Sequence, residues 1–310
     1  ALTINIGGTS GNVTLESLVP STQYETVTVN SQGTAENTLS GVGAVINNMT
    51  FKGDTAITVS STDNIVGVVD FTNSNQNNTV LATDTTAQTI SFGSGDDTIT
   101  TGVVASSTQI INGGSGNDTI SAGIITTAGV LELNGEAGSD IISVAAMTGA
   151  DTASSATING GTGVDFITLD SNPGNSVDVV STATTLADSD KITGFTTVTD
   201  NFDYNGNVLN DTATTITVVS GATLAGGIAA DSDATVYIVT TPLTDAAAAD
   251  MVKLVAETTV SAITSQYATF EVSLAAALGT IDGLDTALSA SETVLLNIDD
   301  GNNSVVLKVT

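Results

Sequence analysis

The chain has no cysteine, histidine, arginine or tryptophan. Without cysteine there is no disulfide framework, and thiol usage gives no reading of the redox compartment. Without histidine or cysteine the chain lacks the usual base of a serine or cysteine triad and any histidine-based zinc site. Carboxylate pairs alone can hydrolyse glycosides, and calcium-using β-helix lyases generally recruit an arginine or lysine base. The missing chemistry therefore points away from an enzyme. Lys52, Lys191, Lys253 and Lys308 are the only basic residues against 33 acidic ones, for a formal net charge of −29. That balance excludes an ordinary phosphate-binding surface, so no nucleic-acid partner is expected, and it disfavours attraction to anionic lipid. No apolar run reaches membrane-spanning length and no leader pattern opens the chain, so no membrane insertion is expected. Ala1 opens directly into Leu2-Thr3-Ile4-Asn5-Ile6 without a methionine, which reads as the mature or excised C-terminal piece of something longer.

Aromatic residues are scarce, with seven Phe and four Tyr, while Thr, Ser, Asn, Gly, Ala, Val and Ile dominate. Small and β-branched residues suit narrow, repetitive sheets. At 310 residues the chain can build one large or two ordinary domains with a sizeable core. Its organising stretch writes one phrase four times: FGSGDDTI, GGSGNDTI, GEAGSDII and GGTGVDFI. Each aligns on an aspartate followed by an aliphatic residue: Asp97 with Ile99, Asp118 with Ile120, Asp140 with Ile142 and Asp165 with Ile167. The aspartates stand 21, 22 and 25 residues apart. A repeat of that length marks a solenoid, whose units bury their apolar faces only by stacking.

The residue types suit calcium. Glycine admits positive-φ turns that aim carbonyl oxygens at one point, and calcium takes six to eight hard oxygen ligands. The candidate metal residues are Gly93, Gly95, Asp96 and Asp97 in the first phrase, and Gly113, Gly114, Gly116, Asn117 and Asp118 in the second. The third and fourth add Gly135, Gly138 and Asp140, then Gly160, Gly161, Gly163 and Asp165. Four turns in register would frame three sites between them, with Asp165 closing the stack. The same residues would also serve a β-helix whose turns merely tolerate left-handed backbone, but four copies in phase favour the ion. Bound divalent ions would also relieve the self-repulsion of so acidic a chain.

The phrase resembles the G-G-x-G-x-D-x-U-x nonapeptide repeat of the RTX family, whose calcium-bound form is a parallel β-roll. Gly113 to Ile120 fits every position, while Phe92 replaces the first glycine of the first copy. Glu136 and Ala137 depart in the third copy, and Val164 and Phe166 make the fourth unusually apolar. The half-turns at 101–109 and 122–130 carry no motif, so calcium is expected along one edge only. Earlier, Asn73 to Ala82 lies over the second phrase with Asn78 in the place of Asp118, which reads as a calcium-poor coil that begins the stack.

Three divisions follow: an N-terminal β segment at 1–37, an RTX-like solenoid with closing cap at 38–205, and a C-terminal capping domain of the secretion type at 206–310. The fold class expected is all-β, a parallel β-roll or β-helix solenoid with a smaller mixed C-terminal domain containing a helix. The phrase at 188–195 and the aromatics at 200–204 look like the closing phrase of type I secreted RTX proteins, and would plug the open end of the coil. The helix is expected from Thr244 as N-cap through Asp245, Ala247, Met251, Leu254 and Val255, with a mixed segment at 274–288. A hairpin is expected from 293–298 to 305–309. These ends look like those of RTX-type surface-layer proteins. That resemblance implies type I export, calcium-triggered folding at the bacterial cell surface, and self-assembly into a two-dimensional array. It also implies a cell-surface polysaccharide partner for a part preceding Ala1. The alternative it leaves open is the calcium-stiffened, secreted end of an RTX adhesin.

Overall fold

The computed structural model describes residues 1–8, 11–19, 25–82, 86–126, 128–145, 147, 154–169, 177–181, 190–194 and 200, with the backbone of strands at 201–204, 207–209, 217–219, 236–239, 294–299 and 304–309. The chain divides into two compact units: Ala1–Thr182 with Asp190–Asn205, and Ala183–Ser189 with Gly206–Thr310.

The first unit is a β-solenoid. One long sheet stacks β1 (Leu2–Ile6), β3 (Thr26–Ser31), β5 (Ile46–Gly53), β7 (Ile65–Ser74), β9 (Gln88–Ser91), β12 (Thr108–Ser115), β15 (Val130–Ala137), β17 (Ser155–Asn159), β19 (Val177–Ser181) and β21 (Asn201–Tyr204) in that order. A second sheet stacks β2 (Thr14–Leu15), β4 (Asn37–Leu39), β6 (Ile57–Val59), β8 (Thr79–Ala82), β10 (Thr98–Thr101), β13 (Thr119–Ala122), β16 (Ile141–Val144), β18 (Phe166–Thr168) and β20 (Lys191–Thr193). The strands of each sheet pair in parallel, each with the strand one coil away. A short third wall pairs β11 (Val104–Ala105) with β14 (Ile125–Thr126), and Met147 continues it beside Ile125. Parallel pairing starts at Leu2 opposite Val27, so the stack runs through 1–37 without a break at that boundary.

Alternation explains the walls. In a strand, residues two apart share a face, and Val27, Met49, Val69, Ile90, Ile111, Leu133, Ile158 and Val179 fall in one register column of the long sheet. All eight are buried. In the second sheet Leu39, Val59, Val80, Ile99, Ile120, Ile142 and Ile167 form a matching column, also buried. Full burial of each such side chain contributes roughly 1.5–3 kcal/mol. No coil holds enough of them alone to offset its ordering entropy, so each depends on its neighbours.

In the second unit Thr217–Val219 pairs in parallel with Val236–Val239, and that strand with Val294–Asp299. Val294–Asp299 and Ser304–Val309 form an antiparallel hairpin, as the sequence predicts. The expected helix from Thr244 and the mixed segment at 274–288 lie outside the described residues.

Candidate metal centre

In each coil the chain leaves the long sheet, turns a corner and enters the second sheet. The residue that opens each second-sheet strand or stands just before it sits at that corner. Register places Val13, Asn37, Ile57, Asn78, Asp97, Asp118, Asp140, Asp165 and Asp190 in one column there.

The column is a hydrogen-bonded ladder. The backbone N–H of Asp97 donates to Asp118 Oδ1, that of Asp118 to Asp140 Oδ1, and that of Asp140 to Asp165 Oδ1, each at 2.7 Å. Asp165 N–H donates to Asp190 Oδ1 at 3.2 Å. One carboxylate oxygen per rung thus satisfies a backbone donor of the coil below. Asp97, Asp118, Asp140 and Asp165 are at most 2 % exposed, so the ladder runs inside the wall.

The other oxygen has no such partner. Oδ2 of Asp97, Asp118, Asp140 and Asp165 is buried without a hydrogen-bond partner, although the Asp190 carboxyl lies close enough to Asp165 to share a proton with it. The neutral rungs of the same column show what that atomic position meets. Asn37 Nδ2 donates to the Gln32 carbonyl and to Ser31 Oγ, both at 3.0 Å. Asn78 Nδ2 donates to the Gln76 carbonyl at 2.6 Å and to Ser74 Oγ at 3.2 Å. An amide NH₂ turned into this corner finds acceptors, whereas a carboxylate oxygen turned the same way has nothing to accept from. A buried acceptor left so costs about 1–3 kcal/mol, more when charged, so each acidic rung calls for a proton or a cation.

The space beside those oxygens is made by glycine. Phe51, Phe71, Phe92, Gly113, Gly135 and Gly160 occupy successive coils at one position of the long-sheet wall. In the lower coils the rings stack, with centroids 4.3 Å apart for Phe51 and Phe71 and 5.1 Å for Phe71 and Phe92. Above them the side chain vanishes. A Cβ on Gly113 would lie 2.6 Å from Asp118 Oδ2 and 2.7 Å from the Gly135 carbonyl oxygen. One on Gly135 would collide with Asp140 Oδ2 and the Gly160 carbonyl, and one on Gly160 with Asp165 Oδ2. Carboxylate and carbonyl oxygens therefore converge on that gap, and a hard cation satisfies such a donor set.

Electrostatics agree. Burial pushes Asp97 up to about 6, its hydrogen bonds from Asn78 acting against the rise. Burial pushes Asp118 and Asp140 up to about 7, helped by the charges of adjoining rungs. Asp165 is raised by burial, and Asp190 by burial and by the charge of Asp165. A stack of ionised carboxylates is disfavoured here unless something positive joins it.

The sequence-predicted residues are brought together as four columns. Asp97, Asp118, Asp140 and Asp165 form the buried ladder described above. Gly113, Gly135 and Gly160 frame the gap, with Phe92 in the place of the fourth. Gly93, Gly114, Glu136 and Gly161 form the next column, in which Glu136 adopts φ 74° where Gly114 and Gly161 have 98° and 104°. Gly95, Gly116, Gly138 and Gly163 cross the turn with φ between 115° and 148°. Asp96 and Asn117 lie outside these, in an outer ladder where Asn117 N–H donates to Asp96 Oδ1 and Ser139 N–H to Asn117 Oδ1, both at 2.8 Å.

Two polar rungs escape the sequence reading. Asn37, next to Val13 at the start of the column, is signalled only by the short run Asn37-Thr38-Leu39. Asp190 extends it: the ladder does not close at Asp165, because Lys191 pairs with Phe166 and Ile192 with Ile167. The phrase expected to plug the coil thus supplies a further turn, and its Asp190-Lys191-Ile192 repeats the spacing of the other rungs. Among the described residues no three carboxylates gather at one point, so a cation here would take most of its ligands from carbonyls.

No protein-family model, curated protein or solved structure matches this chain.

Proposed function

We propose that the first unit is a calcium-binding solenoid and that the protein is a structural, non-catalytic component of a bacterial cell surface, exported and folded outside the cell and assembling with its own copies into a two-dimensional array. The observation that carries the calcium reading is the set of four buried Oδ2 atoms without donors, in a column whose amide rungs have every donor placed. Asp118, Asp140 and Asp165 would hold the ion through Oδ2, with the carbonyls of Gly135 and Gly160 beside them. Bound calcium supplies positive charge to oxygens that otherwise repel. The residues themselves orient the ligands: the coil below fixes each Oδ1, and the glycines keep the gap clear.

The array reading rests on composition and on the resemblance of the repeat and chain ends to RTX-type surface layers. A chain of net charge −29 repels its copies within a Debye length of about 8 Å in physiological salt, and divalent ions between carboxylates would reverse that. Titration calorimetry on the full chain tests the first claim: saturable uptake of calcium at several sites is expected, and no uptake would defeat it. Electron microscopy in calcium against magnesium tests the second. Ordered sheets in calcium are expected, and folded protein that stays monomeric in calcium would favour the end of an adhesin.

A further inference from the structure

The column changes character part-way up. Below Phe92 its rungs are Val13, Asn37, Ile57 and Asn78, all uncharged. The amides of Asn37 and Asn78 are placed on carbonyl and hydroxyl acceptors, and Ile57 belongs to the apolar core. The wall beside them is closed by the stacked rings of Phe51, Phe71 and Phe92, all buried. Above Phe92 the rungs are carboxylates and the rings give way to glycines.

Asp97 marks the seam. Its Oδ1 takes both the backbone N–H of Asn78 at 2.5 Å and Asn78 Nδ2 at 3.0 Å, and the wall position of its coil is still a phenyl ring. Resting on the calcium reading above, we infer that the cation governs folding of the upper coils alone. The coils through Phe92 form an ion-independent base, and those carrying Asp118, Asp140 and Asp165 assemble on it when calcium arrives. In a solenoid each coil contacts only its neighbours, so stability need not be shared along the rod. A finished base presents a strand edge on which the next coil docks without nucleating afresh. At low calcium the chain is therefore half-built, with a closed lower rod and open upper coils.

Hydrogen-exchange mass spectrometry of the full chain in chelator and in calcium tests this. Peptides from 46–92 are expected to keep their protection in chelator. Peptides from 111–168 are expected to exchange faster there by about tenfold for each site filled at about ten times its dissociation constant. Joint loss of protection in both segments, with calcium uptake intact by calorimetry, overturns the base and leaves the calcium reading standing. Full protection of both in chelator, with no uptake, overturns both. A triple variant, Asp118→Asn, Asp140→Asn and Asp165→Asn, supplies the amide donors of the lower rungs, and its upper coils are expected to stay protected without calcium. If that variant remains calcium-dependent, the contrast between neutral and acidic rungs is not what divides the rod.

Discussion

Asn78 and Asp97 stand on adjacent rungs of one column: the Asn78 backbone N–H donates to Asp97 Oδ1, and the two Nδ2 protons are shared among the Gln76 carbonyl, Ser74 Oγ and that same Oδ1. One rung is complete in itself. The next has an oxygen left over. The difference between them is a single chemical group, an amide NH₂ against a carboxyl oxygen.

Acidity should substitute for calcium. Asp97, Asp118 and Asp140 have folded values of about 6 to 7 against an ordinary 3.8, so without cation the folded chain holds protons that the unfolded chain releases. Their contribution is complete below about 3.8 and is lost as pH rises from there through about 7. In chelator the melting temperature is expected to fall across that window. In calcium the ionised form is the one held, and the fall should shrink or disappear. A chelator profile that rises with pH through the window contradicts the assignment.

Gly113→Ala should remove calcium affinity and cost on the order of 2 kcal/mol or more, because its Cβ would enter the space between Asp118 Oδ2 and the Gly135 carbonyl. Calorimetry and denaturant unfolding of the variant check both. A variant that binds with unchanged stoichiometry and stability would place the ion elsewhere.

Glu136→Gly should stabilise the chain by about 1 kcal/mol, since a non-glycine residue at φ 74° stores strain of roughly that size. Glu136 is exposed, so little packing is lost with its side chain. Denaturant midpoints in saturating calcium give the comparison, and a destabilised variant would mean that the carboxylate has a role of its own.

Much of this was legible before the structure. The phrases ending in Asp97, Asp118, Asp140 and Asp165 do stack, and Asn78 does sit beneath them as a neutral coil. The Phe51, Phe71 and Phe92 stack was less visible, although its members are spaced at nearly the repeat length: a buried ring in a sequence says nothing of which ring lies above it. Asp190 was hidden by the aromatics that follow it, which favour a plug over another coil. Residues 1–37 lack any Gly-Asp phrase, yet Val27 and Val29 alternate as the later walls do, and pairing follows the apolar alternation rather than the turn motif. Glycine and aspartate spacing locates the corner, but whether an oxygen there is satisfied depends on the turn below.

Asp118→Ala should reduce calcium stoichiometry and leave the Asp97 backbone N–H without its acceptor, costing about 1–3 kcal/mol beyond any lost ion. Asp118→Asn keeps that bond and should lose only the ion. Comparing the two by calorimetry in calcium and unfolding in chelator separates ladder from ligand. Equal stabilities in chelator would show that Oδ1 carries no share.

The most direct test is a crystal structure of the calcium-soaked full chain with anomalous scattering collected for the ion. The account predicts peaks along the glycine corner, each bonded to Oδ2 of Asp118, Asp140 or Asp165 and to carbonyl oxygens at about 2.3–2.6 Å. A corner without such peaks, with each Oδ2 instead at hydrogen-bond distance from a carbonyl as a protonated acid, would contradict it.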